Sequence, residues 1–334
     1  MPTEEQVRDK LNEVIVPGAM RSLVELNLVK HITVGNAKVE IGLATAALDQ
    51  DTQEWLKTKV RDAGGQLPEL KDVETVFVEA SPKDVNEIRN VIAVMSGKGG
   101  VGKSLVTGLF SLALARYGHK VGILDADITG PSIPRMFGIN ARPSGSDNGL
   151  MPVRSRAGIE IMSINILLPH EDDAVIWRGP LIGNTIKQFW EDVLWGRLDY
   201  LLVDLPPGTA DAPLTVMQSL PLTGVIVVFS PQELAGMVVR KAMRMAEKMN
   251  VPILGVVENM SYFVVPETGK RLELFGKSRA DEMAKAAGAP LLGQIPIEPE
   301  LARLCDEGGI ERYESESLNA MLEAFIQAVP AKAV

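Results

Sequence analysis

The stretch SGKGGVGKS, Ser96 to Ser104, decides how the rest of the chain is read. Gly97, Lys98, Gly99, Gly100, Val101, Gly102, Lys103 and Ser104 fit the pattern G-x-x-x-x-G-K-[ST]. The apolar run VIAVM (91–95) before it reads as a strand, and LVTGLFSLALARYG after it reads as a helix. That strand–loop–helix context is what a phosphate-binding loop requires. Glycines let backbone N–H groups turn inward around phosphates where a β-carbon would block approach. The following helix turns its positive end to the same place. In this pattern Lys103 reaches the β- and γ-phosphates and the Ser104 hydroxyl meets magnesium.

Outward from the loop, short apolar runs recur: VGILD (121–125), LLVD (201–204), VIVVF (225–229) and ILGVV (253–257). They predict strands buried on both faces of a mostly parallel sheet. Helical patterns lie between them, including LAGMVVRKAMRMAEKM (234–249), so the fold class expected is α/β with a doubly wound sheet. Ligands in such sheets sit at the carboxyl ends of the strands. Two acidic segments fall at strand ends. LLVDLPPGTAD ends a strand in Asp204, a magnesium-side carboxylate, and its turn offers the Gly208 N–H to a γ-phosphate. GILDADITG carries Asp125 and Asp127, which can hold the metal's water shell or orient an attacking water.

The first 80 residues read differently. EEQVRDKLNEVI puts Val7, Leu11, Val14 and Ile15 on one helical face. KVEIGL alternates as a half-buried strand, DTQEWLKTKV reads as a helix, and ETVFVEA (74–80) as another strand. The expected organisation is a small α+β domain over 1–80, a polar linker over 81–90, an α/β domain carrying the phosphate loop over 91–329 and a tail over 330–334. The chain carries a formal charge of −9, which argues against nucleic acid as a partner. It has one cysteine, Cys305, which suits a reducing cytoplasm. No apolar run approaches the length of a membrane helix, and the N-terminus is polar and acidic, unlike a signal peptide.

Lys103 does the usual work of the loop, so Lys98 is surplus to a simple phosphate cradle. A lysine there marks the deviant Walker A class, K-G-G-x-G-K-[ST], which this loop resembles: MinD- and ParA-like ATPases, the nitrogenase iron protein and the Mrp/ApbC cluster carriers. GPSIPRMFG (130–138), VIWRGPL (175–181), DLPPGT (204–209), SPQELA (230–235), GVVENMSYF (255–263), FGK (275–277) and GQIPIEPE (293–300) narrow the resemblance to Mrp/ApbC. It implies ATP binding and hydrolysis, magnesium, a homodimer, and delivery of an iron–sulfur cluster to apoproteins. It implies that Lys98 crosses the dimer interface to the partner's nucleotide, and that Asp127 orients the attacking water. Asp125 and Asp204 align with magnesium-side carboxylates, and Asn259 and Pro296 lie where adenine is held. The first 80 residues resemble the small domain fused to many Mrp proteins.

The sequence departs from that family in its ligands. A C-x-x-C is expected after N-M-S-x-F, where four thiolates across a dimer would hold a [4Fe–4S] cluster. Here the place reads Val265-Pro266-Glu267-Thr268, with neither thiol present. In the small domain the usual D-P-E reads Val16-Pro17-Gly18, and the usual cysteine falls near Leu48. Cys305 shares a helical face with Leu301 and Leu304 and reads as a packed core residue. Of the histidines, His31 lies in the small domain, His119 follows a helix-ending glycine, and His170 sits in the acidic stretch HEDDAV, which reads as a solvated loop, with a metal site as the alternative.

Trp177, Trp190 and Trp195 read as the apolar stripe of a helix, with a dimer or client surface as the alternative. The methionine-rich helix reads as core, and the C-terminal LNAMLEAFIQAV shows the stripe Leu318, Leu322, Phe325 and Ile326 without a basic face. Four readings are therefore weighed: an ATP-driven iron–sulfur carrier; an ATP-switched dimeric adaptor without its own cluster; a MinD/ParA-like positioning ATPase; and a small-molecule ligase or kinase. The first is the expectation. Acidity and the lack of a basic tail weigh against the third, and no substrate segment supports the fourth.

Overall fold

The computed structural model describes residues 2–35, 38–67, 70, 72–127, 130, 132–168, 179–209 and 211–330, the side chains at 179–182, 233–236 and 238 excepted. His170 and Trp177 lie outside the described residues. The chain forms two compact units.

The smaller unit comprises Met1–Ile88, Arg142–Arg154 and Gln188–Leu198. Thr3 caps helix α1 (Glu4–Leu11) through a reciprocal capping box with Gln6. Strands β1 (Val29–Val34), β2 (Lys38–Ala44) and β3 (Asp72–Val78) form its sheet, β1 antiparallel and β3 parallel to β2. Helix α2 (Gln50–Gly64), capped by the Asp49 side chain, makes the parallel crossover and buries Leu56 and Val60. One expectation is corrected here. The apolar face through Val14 and Ile15 does not continue as helix, because α1 ends at Leu11. Ile15–Val16 is a short strand, and its alternation buries Val16 and leaves Ile15 exposed.

Val16 and Leu48, the positions where acid and thiol are expected, are fully buried in this unit's apolar core. Met151 and Leu194 from the two later segments belong to the same core. Arg21, buried, donates to the carbonyls of Trp195 at 2.7 Å, Glu25 at 2.9 Å and Arg197 at 2.9 Å. A guanidinium with several carbonyl acceptors is a buried charge whose donors are used rather than wasted. Trp195 is also a correction. It lies beyond the end of its helix and is fully buried, its indole N–H donating to the Phe189 carbonyl at 3.1 Å.

The larger unit is built on a sheet whose strands include β4 (Glu87–Ser96), β5 (Val121–Asp125), β6 (Glu160–Ser163), β7 (Arg197–Asp204), β8 (Gly224–Phe229), β9 (Ile253–Asn259) and β10 (Leu291–Ile295). They run in the order β6-β5-β7-β4-β8-β9-β10. β5 is parallel to both its neighbours, and β4, β8, β9 and β10 are parallel in succession. The sheet therefore winds both ways from β4, as expected. β4 begins at Glu87, so the polar stretch 81–90 is part strand rather than linker throughout. Its start is held by Glu87 N–H on the Gly196 carbonyl, a partner invisible in local composition. β6 and β10 were not among the predicted strands.

Helix α3 (Lys103–Arg116) follows the loop and is buried on most sides, including Val106, Leu109, Phe110, Leu112, Ala113 and Leu114. An all-round apolar helix belongs in the middle of a layer. The C-terminal helix α4 (Glu316–Ala328) packs Phe325 on Phe110 and Tyr200, with ring centroids 5.1 and 5.9 Å apart. Its apolar stripe is thus core, although Ile326 is only half-buried and Met321 takes a buried place instead. The methionine-rich helix (Glu233–Lys248) buries Met243 and Met245 and exposes Met237.

Candidate functional site

Strand register brings the candidate residues together. Asp204 is directly opposite Asp125, and Asp125 is opposite Ser163, so three polar side chains end adjacent parallel strands. β4 ends at Ser96, and the glycine loop leaves from there. Gly100 and Gly102 adopt φ of +78° and +80°, conformations that favour glycine. Gly102 has a second constraint, since a β-carbon there would stand 2.0 Å from Asn259 Nδ2. At Gly100 and Gly208 a β-carbon would meet nothing within 4 Å, so the loop presents an open, backbone-lined face.

Lys103 opens α3 and is 5% exposed. Its ammonium lies 2.8 Å from Asp204 Oδ1 and 3.5 Å from Asp127 Oδ2. The Ser104 hydroxyl donates to Asp204 Oδ2. Thr107, one turn further on, donates to Asp204 Oδ1 at 2.9 Å. Asp204 is fully buried yet surrounded by a cation and two hydroxyl donors, which is how a buried carboxylate is accommodated. Asp125 accepts from Ser163 Oγ at 3.0 Å and from the Asp127 N–H at 3.2 Å. Complete burial, with the Asp204 charge adding, pushes the Asp125 carboxyl up to about 8, against the pull of Lys103. Hard oxygen donors from Ser104, Asp204 and Asp125 beside an open phosphate cradle suit a magnesium nucleotide, because magnesium keeps only one or two carboxylates and takes its other ligands from phosphate and water.

Three further candidate residues also have internal partners here. The Lys98 ammonium donates to Gln232 Oε1 of its own chain. The Gly208 N–H donates to the Ser96 carbonyl at 3.1 Å. Asn259, buried, donates from Nδ2 to the Val101 carbonyl at 2.9 Å and so braces the loop from the side. Pro296 is half-buried in the segment after β10. Sequence reading missed Thr107, Ser163 and Gln232. Only Thr107 had a local signal, being four residues from Lys103 on one helical face.

Cys305 corrects another expectation. Leu301 and Leu304 are buried in their helix, but Cys305 is half-buried at its edge. Partial burial and the neighbouring Asp306 push its thiol up to about 11. Alkylation by iodoacetamide at pH 8 should therefore run about 100-fold slower than for an unperturbed thiol, two pKa units of lost thiolate. A labelling time course read by mass spectrometry checks this, and the rate should keep rising with pH towards about 11. His31 pairs with Glu40 at 3.3 Å, and His119 lies 3.8 Å from Asp199 and edge-on to Tyr200. Among the described residues, no group of three or more His, Cys, Asp or Glu is placed to hold a metal ion.

Doubly wound sheet, glycine loop, buried lysine and strand-end aspartates together define a P-loop NTPase. Residues 87–330 match the family described as NUBPL iron-transfer P-loop NTPase, and residues 4–76 match the iron–sulfur cluster assembly protein family. The chain belongs to the iron-transfer P-loop NTPase family. It is 47% identical over 238 residues to an iron–sulfur cluster carrier protein of Clostridium perfringens, covering 69% of this chain and 84% of the relative. A carrier protein of the same description from Haemophilus influenzae is 38% identical over 334 residues, covering 97% of this chain and 90% of the relative. Among solved structures, a nucleotide-binding protein of Archaeoglobus fulgidus, in complex with ADP, superposes with a TM-score of 0.63 at 46% identity. That match covers 73% of this chain and 93% of that one. The MinC:MinD complex of Aquifex aeolicus, at a TM-score of 0.51 and 22% identity over 73% of this chain and 98% of that one, shares the fold.

Proposed function

We propose that the chain binds and hydrolyses ATP with magnesium, as a cytoplasmic homodimer that delivers iron–sulfur clusters to apoprotein clients. The observation that carries this reading is the buried Lys103–Asp204–Ser104 constellation at the mouth of the glycine loop. Lys103 would meet the β- and γ-phosphates, drawing on the same ammonium that now neutralises Asp204. Backbone N–H groups of Gly97 to Gly102 would cradle the phosphates. Ser104, with Asp204 and Asp125 behind it, would hold magnesium, which neutralises charge on the transferring group. Asp127 would orient the attacking water from beside Lys103, 3.5 Å away. Asn259 and Pro296 would flank the base, and the Gly208 N–H would turn from Ser96 to the γ-phosphate. Lys98 would leave Gln232 and meet the nucleotide of the partner copy.

A second reading is favoured by the thiol inventory. An iron–sulfur cluster is held by cysteine thiolates, normally four. This sequence offers one cysteine, and two copies would bring two thiols of high pKa. The dimer would then act as a nucleotide-switched adaptor between a cluster-bearing protein and its client, holding no cluster through its own side chains. Anaerobic reconstitution with iron and sulfide separates the two. The adaptor reading expects almost no bound iron and no brown charge-transfer absorbance after desalting. A stable four-iron chromophore on the purified protein would remove that reading and leave the direct carrier.

A further inference from the structure

Successive side chains at the end of β9 face opposite sides of the sheet, and here each is tied to a different loop. Asn259 braces the phosphate loop through the Val101 carbonyl. Glu258, fully buried, gathers the excursion that follows. Its carboxylate accepts from Ser261 Oγ at 2.6 Å, Ser278 Oγ at 2.7 Å, the Arg279 N–H at 2.7 Å and Gln294 Nε2 at 2.7 Å. Residues 261–279 thus leave and return at one carboxylate. Between these limits lies a short hairpin, Phe263–Val264 against Arg271–Leu272. Val264, Leu274 and Phe275 in this excursion are 40%, 58% and 40% exposed.

Two further observations fix the junction. Met260, between Asn259 and the excursion, has φ of +56°, a left-handed conformation uncommon for a residue with a β-carbon. Such a conformation persists only where its surroundings hold it. The candidate base-side segment is bonded to the same excursion: the Ser261 N–H donates to the Ile295 carbonyl at 3.0 Å, and the Ile297 N–H to the Tyr262 carbonyl at 2.7 Å. Pro296 lies between those two bonds. The Pro296 segment is therefore hydrogen-bonded on both sides to the start of the 261–279 excursion, and Asn259 precedes it by two residues in the chain.

We infer that Glu258 and Asn259 form a mechanical link that reports nucleotide occupancy of the glycine loop to the 261–279 excursion and its exposed apolar side chains. This rests on the proposed nucleotide site and extends it. A nucleotide that moves the Val101–Gly102 backbone or the Pro296 segment displaces one end of the link. Glu258, with four donors converging on it, moves the excursion as a unit rather than letting it fray. Glu258 touches no candidate ligand position and is a positioning residue.

Hydrogen–deuterium exchange on the full chain, with and without magnesium and a non-hydrolysable ATP analogue, tests the link alongside calorimetric affinity. In the wild type the analogue should slow exchange within 261–279 at least about fivefold, the low end of ordinary coupling between sites. Glu258→Gln should bind the analogue within about threefold of wild type and lose that protection. Ser278→Ala, a milder change at the rim of the same carboxylate, should bind normally and lose part of it, which keeps the test open if the first variant folds poorly. Wild type that binds the analogue with unchanged exchange over 261–279 overturns the link and leaves the nucleotide site standing. Glu258→Gln with wild-type protection also overturns it. Wild type that fails to bind the analogue removes the nucleotide site and the link together.

Discussion

Lys103→Ala is expected to lose nucleotide binding by at least about 100-fold, the value of one or two charge-assisted hydrogen bonds to phosphate. The same substitution strips the cation from Asp204, which is fully buried and 2.8 Å from the ammonium. Removing one partner of a buried pair costs about 3 kcal/mol or more, because the other charge stays behind. Ser104 and Thr107 still donate to Asp204 and limit the damage. The variant should thus bind ATP poorly by calorimetry and unfold at lower urea in the absence of nucleotide. Lys103→Met, which keeps the aliphatic stem, should recover part of the stability and none of the affinity. Wild-type ATP turnover in either variant would remove the site assignment.

Lys98→Ala is expected to separate binding from turnover. Lys98 is half-buried and held by Gln232 of its own chain, so the phosphate cradle does not depend on it in the free protein. Affinity for ATP should stay within about threefold of wild type, under 1 kcal/mol. Hydrolysis should fall about 10³-fold, the lower range for a cation delivered in trans to a transferring phosphoryl group. Mixed dimers of Lys98→Ala with Lys103→Ala discriminate between delivery in trans and in cis. If the lysine crosses, one composite site has both lysines defective and the other has both intact, so activity reappears on mixing. Activity absent from every mixture, with Lys98→Ala itself inactive, would show that Lys98 serves its own nucleotide.

Much of the site was legible because its parts are contiguous or end a recognisable run. Gly97 to Ser104 sit in one octet, and Asp125 and Asp204 each close an apolar strand. The structure places Lys103, Asp127, Asp204 and Ser104 within reach of one another, as that pattern expects. What stayed hidden depends on register between distant segments. Nothing local to Ser163 says that it faces Asp125, and nothing local to Gln232 says that it receives Lys98. Glu258 reads as an ordinary strand-end acid until Ser278, Arg279 and Gln294 are seen to converge on it. Errors of local reading had local causes. The face through Ile15 failed because the helix stops at Leu11 and the period changes from 3.6 to 2. Trp195 failed because a buried aromatic in a loop carries no periodic signal.

The core shared by Val16, Leu48, Met151 and Leu194 has a consequence for how the protein is made. The smaller unit draws on Met1–Ile88, Arg142–Arg154 and Gln188–Leu198, so a ribosome has passed Leu198 before every piece is available. The usual order, in which an N-terminal domain completes itself before the next one emerges, does not apply. The earlier segment waits with part of its apolar surface uncovered while the middle of the chain is synthesised, and a chain truncated near residue 80 would lack Met151 and Leu194 from that interior.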